Sequence, residues 1–169
     1  MKNAACQRLL FEQYAGRLMA VSLRYARDKA EAEDILQESY INIFSCINQF
    51  KGEGSFEGWL KKIVVNCAIR YVKKSRLKLV DPGKYETQQS PGEDFVIPNL
   101  SEMELMKLVH ALPDGYRLVF NLYAIEGYSH NDIASMLGID PSTSRTQLLK
   151  ARRLLQEQIL FIHKIPAAS

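Results

Sequence analysis

The chain has 169 residues, 47% of them hydrophobic and 24% charged, enough for one ordinary domain or two small helical ones. Because the net charge is only +3, any nucleic-acid function has to depend on local clusters of Lys and Arg. Cys6, Cys46 and Cys67 have neither metal-ligand nor CxxC spacing, which predicts reduced thiols and no metal site. With no secretory signal at the start and no run near the roughly 20 apolar residues of a membrane helix, we expect a cytoplasmic protein without membrane insertion.

The first 75 residues are predicted to form a helical bundle. Ile35, Tyr40 and Ile43 belong to an apolar pattern with steps of three and four residues, and no alternating strand pattern competes with it. The other side of this helix is acidic, with Glu31, Glu33, Asp34 and Glu38. Acidic side chains do not suit DNA. This face is either solvated or a docking surface for a basic protein, and composition does not decide between the two.

A glycine loop, "FKGEGSF" at 50–56, interrupts the helical pattern, because Gly52 and Gly54 are poor residues for a helix interior. The segment from Gly58 to Leu79 then has seven basic residues and no acidic one. Aromatic residues lie in or beside the loop, namely Phe50, Phe56, Trp59 and Tyr71. Aromatic rings next to cations suit stacking on unpaired bases. Trp59 and Tyr71 also have the helical spacing of core residues, and both interpretations stay open.

Residues 76–100 are predicted to be an irregular linker. They contain Pro82, Gly83, Pro91, Gly92 and Pro98 and no apolar periodicity. Helical spacing resumes beyond them. We therefore expect an all-α fold with two small helical domains, at 1–75 and 101–165, joined by this linker.

The second domain contains a predicted helix-turn-helix. Ser129 and Asp132 have the spacing of a capping box, which starts a helix. Gly138 suits the positive φ of a tight turn, and Asp140 with Pro141 suits the start of the next helix. A small residue, Ala134, allows the two helices to approach closely. This combination favours a helix-turn-helix over a merely solvated basic helix.

In a helix-turn-helix, the N-terminal part of the second helix enters the major groove. The side chains predicted to lie near bases are Ser142, Ser144, Arg145, Thr146 and Leu149. Arg145 can donate two hydrogen bonds to guanine, and Leu149 can contact a thymine methyl group. Lys150, Arg152 and Arg153 lie further along and suit phosphates, which position the protein without specifying sequence.

Three segments of the chain together resemble one family, the extracytoplasmic function (ECF) sigma factors. "AEDILQESYINIF" and "FKGEGSFEGWLKKIVVNCAIRYVKK" resemble region 2 of that family. "ALPDGYRLVFNLYAIEGYSHNDIASMLGIDPSTSRTQLLKARRLL" resembles its region 4. The segments occur in the expected order within about residues 5–160, with a linker where the family has one. Two independent motifs at the right separation make the resemblance specific.

The resemblance implies a dissociable subunit of bacterial RNA polymerase that recruits the core enzyme to promoters. Region 4 would read the −35 element, and region 2 would recognise and melt the −10 element. Asp34, Gln37 and Glu38 would dock on the clamp helices of the largest polymerase subunit. The implied contacts with the −10 element are Phe50, Phe56, Asn66, Arg70 and Lys73; Phe50 and Asn66 would form the pocket for a flipped base. A membrane-bound or soluble anti-sigma factor is a further candidate partner.

Two other classes of function compete with this interpretation. A stand-alone helix-turn-helix regulator would have a ligand-binding or dimerisation domain before the motif. An enzyme is disfavoured, because His110, His130 and His163 are scattered and no phosphate-binding loop occurs, so we predict no catalysis and no cofactor. His130 is predicted to be a simple surface residue. The recognition helix departs from the family's usual Gly-Thr-Val and Ser-Arg, and Gln147 replaces an arginine, so the −35 sequence is not predicted.

Overall fold

The computed structural model describes residues 4–75 and 101–164, and all regular secondary structure in these two ranges is helical. The predicted all-α fold is therefore confirmed. The contacts divide the chain into two compact units between Ser75 and Arg76. The predicted linker at 76–100 lies outside the described residues.

Three helices that all contact one another form the first unit: α1 (Ala4–Tyr25), α2 (Lys29–Cys46) and α3 (Phe56–Ser75). A short 3-10 turn, Ile47–Gln49, follows α2 and leads into the glycine loop. The core between the helices is apolar and includes Leu18, Val21, Ile35, Ile43, Leu60 and Val64. Two serines are also buried, and the hydroxyl groups of Ser22 and Ser39 donate to the carbonyls of Leu18 and Ile35. The hydroxyl groups of these two serines are thereby paired.

Four helices form the second unit: α4 (Glu102–Ala111), α5 (Asp114–Phe120), α6 (His130–Leu137) and α7 (Pro141–Lys164). A π-helical turn at Asn121–Ile125 follows α5. The long helix α7 is central, because it contacts α4, α5 and α6. Its buried residues recur at steps of four and three, namely Ser144, Leu148, Ala151, Leu155 and Ile159. This stripe is the inner face of α7, and the opposite face is left for solvent or a partner.

The turn between α6 and α7 has the predicted chemistry. The Ser129 hydroxyl accepts from the Asp132 amide at 3.2 Å, and the Asp132 carboxylate accepts from the Ser129 amide at 3.3 Å. Gly138 has φ 71°, and its amide donates to the Ala134 carbonyl at 2.8 Å. Pro141 is the first residue of α7. The capping box and the glycine turn fix where α7 begins relative to α6.

A buried arginine, which the sequence analysis did not identify, holds the corner between α4 and α5. Arg117 is only 4% exposed, donates to the His110 carbonyl at 3.1 Å and pairs with Asp114 at 2.8 Å. A buried guanidinium is tolerated only when such partners satisfy it. Burial, and then the nearby Arg117, lower the pKa of His110, which keeps this imidazole neutral at pH 7.

We expect opposite effects from two glycine-to-alanine substitutions. Gly138→Ala places a side chain in a left-handed conformation and should destabilise the second unit by about 1 kcal/mol. Gly16→Ala lies within α1, where a Cβ atom would have no neighbour within 4 Å, and should stabilise the first unit by about 0.5–1 kcal/mol. Hydrogen exchange of the α6 and α1 amides measures each unit separately. Equal effects of the same sign would contradict the role given to Gly138.

Candidate nucleic-acid interface

The outward side of α7 is basic and exposed. Arg145, Leu149 and Arg152 follow one another at steps of four and three residues, so they lie along one line of the helix. At about 100° per residue, the predicted contacts in α7 other than Ser144 occupy an arc of about 160°. They are Ser142, Arg145, Thr146, Leu149, Lys150, Arg152 and Arg153. Leu149 is an apolar side chain that is 49% exposed in the middle of this arc. We call this arc the outer face of α7.

The prediction that Ser144 lies near bases is wrong. Ser144 has no exposed surface and belongs to the inner stripe with Leu148 and Ala151. Its position is one step of four before Leu148, so helical periodicity turns its side chain inward. The hydroxyl lies 2.9 Å from Nδ1 of His130. Ser144 therefore supports a neighbouring side chain instead of being displayed to DNA.

Two members of the outer face already have partners within α7. The Arg153 guanidinium pairs with Glu157 at 2.9 Å, and both side chains are more than half exposed. An exposed pair of this kind is worth only about 0.3–0.5 kcal/mol, so a phosphate can displace the carboxylate. The Thr146 hydroxyl donates to the Ser142 carbonyl at 3.0 Å. Its oxygen lone pairs are still able to accept a hydrogen bond.

A cluster of side chains beside the outer face was missed by the sequence analysis. The His130 ring stacks on Tyr123, with ring centroids 4.5 Å apart and an interplanar angle of 19°. The Arg152 guanidinium carbon lies 5.9 Å from the centroid of Tyr123. Burial, and then the charges of Arg145 and Arg152, lower the pKa of His130. His130 is thus half-buried in a cluster and is not the simple surface residue that we predicted. Its partner Ser144 is fourteen positions away, and no local pattern links the two.

In the first unit, the predicted docking residues share one side of α2. Asp34, Gln37 and Glu38 are exposed and are three and four residues apart. Ile41 continues the same line and is 70% exposed, which is unusual for a large apolar side chain within such a row. The sequence analysis did not single out Ile41. The face therefore combines two carboxylates with one exposed apolar residue.

The predicted contacts with the −10 element in α3 also share one side of that helix. Asn66, Arg70 and Lys73 are four and three residues apart and lie along one line, whereas Phe56, ten residues before Asn66, lies about 80° around the helix from it. Asn66 and Arg70 are exposed, and Phe56 and Lys73 are half-buried. We call this line the outer stripe of α3.

Arg70 connects this stripe to the acidic face of α2. Its guanidinium donates to the Cys67 sulfur at 3.3 Å and lies 3.6 Å from the Glu38 carboxylate. The residue expected to contact DNA is therefore adjacent to one expected to contact polymerase.

Three rings cluster at the glycine loop. Phe50 lies 5.0 Å from Phe56 and 5.5 Å from Trp59, and Phe56 stacks on Trp59 at 5.9 Å. All three side chains are half-buried, so Trp59 is neither a fully buried core residue nor a free stacking surface. Gly52 and Gly54 have φ 77° and 78°, which only glycine adopts easily. The loop thus holds the aromatic cluster at the N-terminal end of α3.

No group of three His, Cys, Asp or Glu residues within 4–75 and 101–164 could hold a metal ion. In the same two ranges, no helix is both long enough and apolar enough to cross a membrane.

Two protein-family models match the chain in separate segments. Sigma-70 region 2 matches residues 10–77, and sigma-70 region 4 matches residues 102–155. The ECF RNA polymerase sigma-E factor of Haemophilus influenzae is 25% identical over 89% of this chain and 86% of its own length. The RNA polymerase sigma-H factor of Pseudomonas aeruginosa is 24% identical over 89% of this chain and 84% of its own length.

A solved structure also resembles this one. It is the sigma factor RpoE in complex with the anti-sigma factor NepR from Bartonella quintana, with a TM-score of 0.54 and 19% identity over 92% of this chain and 96% of that chain. At this identity the likeness shows the fold. Together, the two family models in their expected order and the relatives that match nearly the whole chain show that this protein belongs to the ECF sigma factors of the sigma-70 family.

Proposed function

We propose which surfaces of this alternative sigma factor make its contacts. The protein binds core RNA polymerase and directs it to specific promoters. The outer face of α7 reads the −35 element. The outer stripe of α3 and the aromatic glycine loop recognise and open the −10 element. The acidic face of α2 docks on the clamp helices of the polymerase. The observation that carries the proposal is the basic outer face of α7, the second helix of a capped helix-turn-helix.

Recognition of the −35 element follows from the chemistry of the outer face. Arg145 is exposed near the start of α7, the part of a recognition helix that enters the major groove. Its guanidinium can donate to both acceptors of a guanine, a contact worth about 1–3 kcal/mol of discrimination. Leu149 lies one turn further along the same line and suits a thymine methyl group. Arg152, Arg153 and Lys150 then suit the phosphates that flank these bases.

Opening of the −10 element depends on holding unpaired bases. Extruding a base costs a few kcal/mol of lost stacking, which aromatic faces and fixed cations can offset. The half-buried ring of Phe50 packs against Phe56 and Trp59, so it is preorganised for a stacking contact. Asn66 and Arg70 are exposed on the outer stripe of α3 and supply polar groups for the base and the strand.

Docking on polymerase is assigned to the acidic face of α2. Asp34 and Glu38 present like charges that disfavour DNA and favour a basic protein surface. Exposed Ile41, at the end of the same row, adds apolar area to such a contact. The chain would act with polymerase in the cytoplasm and would itself catalyse no reaction.

An anti-sigma factor is a further proposed partner. An apolar groove of about 400 Å³ lies at the C-terminal end of α7, lined by Leu108, Leu154, Glu157, Gln158, Phe161 and Ile162. Leu154 and Phe161 lie about half a turn around α7 from Arg145, so a protein in this groove would not need the outer face. The related RpoE was solved with an anti-sigma factor, which supports regulation of this kind.

Removal of the guanine contact should reduce promoter selection without affecting polymerase binding. Arg145→Ala should lower −35-dependent run-off transcription by roughly 10- to 100-fold, because about 1–3 kcal/mol of base recognition is lost. Lys107→Ala, which removes an exposed charge from α4 of the same unit, is the matched control. Loss of core binding by Arg145→Ala, or equal losses in both variants, would refute the assignment.

Reversal of one charge on α2 should weaken binding to core polymerase. Asp34→Lys introduces repulsion against a basic docking surface, and we expect at least a tenfold loss of core affinity by fluorescence anisotropy. Asp34 is a better test than Glu38, which also lies near Arg70. Glu12→Lys makes the same charge change on α1, where it breaks an exposed ion pair with Arg8 at 2.8 Å, and should leave core affinity unchanged. Retained affinity of the Asp34 variant would count against the docking face.

Loss of Asn66 should impair strand opening more than promoter binding. Asn66→Ala removes an exposed amide from the outer stripe of α3, so stable open complexes should form several-fold more slowly on duplex promoters. A template with an unpaired −10 region should restore most of the rate, because opening is then no longer needed. Asn48→Ala, at an exposed position in the 3-10 turn, serves as the control. The same defect on both templates would exclude a role in opening.

A further inference from the structure

One cluster beside the helix-turn-helix contains Tyr123, His130, Ser144 and Arg152. Of these four residues, only Arg152 is used in the contacts proposed above. Tyr123 lies on the π-helical turn, His130 at the start of α6, and the other two on α7. Three separate elements therefore place polar or aromatic groups next to the outer face of α7. Tyr123 is 36% exposed and His130 is half-buried, so the cluster reaches the surface.

The position of the His130 ring is fixed by two contacts of different kinds. Stacking on Tyr123 sets the plane of the ring. The hydroxyl of Ser144, which is completely buried, lies 2.9 Å from Nδ1 and sets the rotation within that plane. Because the two ring nitrogens point away from each other, a contact of Nδ1 with a buried hydroxyl turns Nε2 away from the interior.

The chemistry of this nitrogen matches a single kind of ligand. When the Ser144 hydroxyl donates to Nδ1, the ring proton is on Nε2, which is then a fixed donor beside the Arg145 and Arg152 cations. Neighbouring guanidinium groups attract an anion, and a neutral imidazole donor does not add to their mutual repulsion. A DNA phosphate oxygen only accepts hydrogen bonds and is the anion that lies next to a recognition helix.

We propose that His130 donates through Nε2 to a phosphate of the promoter backbone next to the −35 bases, with Ser144 and Tyr123 as positioning residues. This inference rests on the proposed reading of the −35 element by α7. The contact anchors the start of α6 on the backbone while Arg145 reads the bases. It specifies no sequence, but it fixes the register of α7 in the groove.

The test measures how tightly the holoenzyme binds a promoter that run-off transcription has identified. The phosphates of its −35 region are replaced one at a time by methylphosphonates. Each substitution removes the charge and one acceptor oxygen of a single phosphate. The unmodified protein should lose affinity at several positions. His130→Phe, which keeps the stacking ring, should bind unmodified promoter about 3- to 10-fold more weakly, as one net hydrogen bond implies. The affinity of His130→Phe should also be unchanged by substitution at one phosphate, the one that His130 contacts in the unmodified protein.

Further variants separate a contact from a structural effect. His130→Gln retains a donor near the position of Nε2 and should recover sensitivity at that phosphate. Ser144→Ala should weaken binding in the parent protein but not in His130→Phe, because the hydroxyl acts only through the imidazole. Asn131→Ala, at the exposed adjacent position, should leave the scan unchanged.

Two outcomes would overturn the proposal, and they are distinguishable from failure of the proposed function. An identical phosphate profile in His130→Phe and the parent protein would exclude the contact. Additive losses in Ser144→Ala and His130→Phe would exclude the positioning role. If Arg145→Ala also had no effect on −35-dependent transcription, the reading of DNA by α7 would itself be wrong. If Arg145→Ala reduced transcription while His130→Phe did not alter the profile, only this inference would fail.

Discussion

The packing of one stripe of α7 against the other helices of its unit determines what its opposite face can do. The inner stripe includes Leu148, Ala151 and Leu155, which are fully or nearly buried. Residues on the other side of α7 are therefore turned outward. Burial of the inner stripe contributes roughly 1.5–3 kcal/mol for each large apolar side chain, whereas each exposed cation contributes little to stability. The outer face is thus available for recognition, because the fold does not depend on its residues.

Charge is divided in a similar way in the first unit. Asp34 and Glu38 lie on one face of α2, and Arg70 and Lys73 lie on α3, so the surfaces proposed for a protein and for DNA are adjacent but distinct. They meet at Glu38 and Arg70, which lie 3.6 Å apart. A pair at this distance between side chains about half exposed is weak, so each residue can exchange its partner at low cost. The first unit therefore presents both surfaces on a small three-helix scaffold.

The sequence predicted what depends on local chemistry. The capping box at Ser129 and Asp132, the turn at Gly138 and the start of α7 at Pro141 all follow from residues within four positions of one another, and all were correct. The inward orientation of Ser144 also follows from its spacing to Leu148; its position near the start of α7, the part of a recognition helix that enters the groove, favours the wrong prediction. His130 and Arg117 were different. The Ser144 partner of His130 is fourteen residues away, and Arg117, besides its pair with Asp114 in the same helix, donates to the His110 carbonyl of the neighbouring helix. Only the packing of helices brings the distant groups together. The exposure of Ile41 does not follow from local sequence either, since exposure is a property of the fold.

We propose that this chain acts through core RNA polymerase and that its two units read two promoter elements. The most direct test is run-off transcription by core polymerase from the same organism on a pool of its genomic fragments, with and without the protein. We expect discrete new start sites that share two upstream sequence elements at a fixed separation. DNA binding by the protein without any polymerase-dependent start sites would contradict it and would indicate a stand-alone regulator.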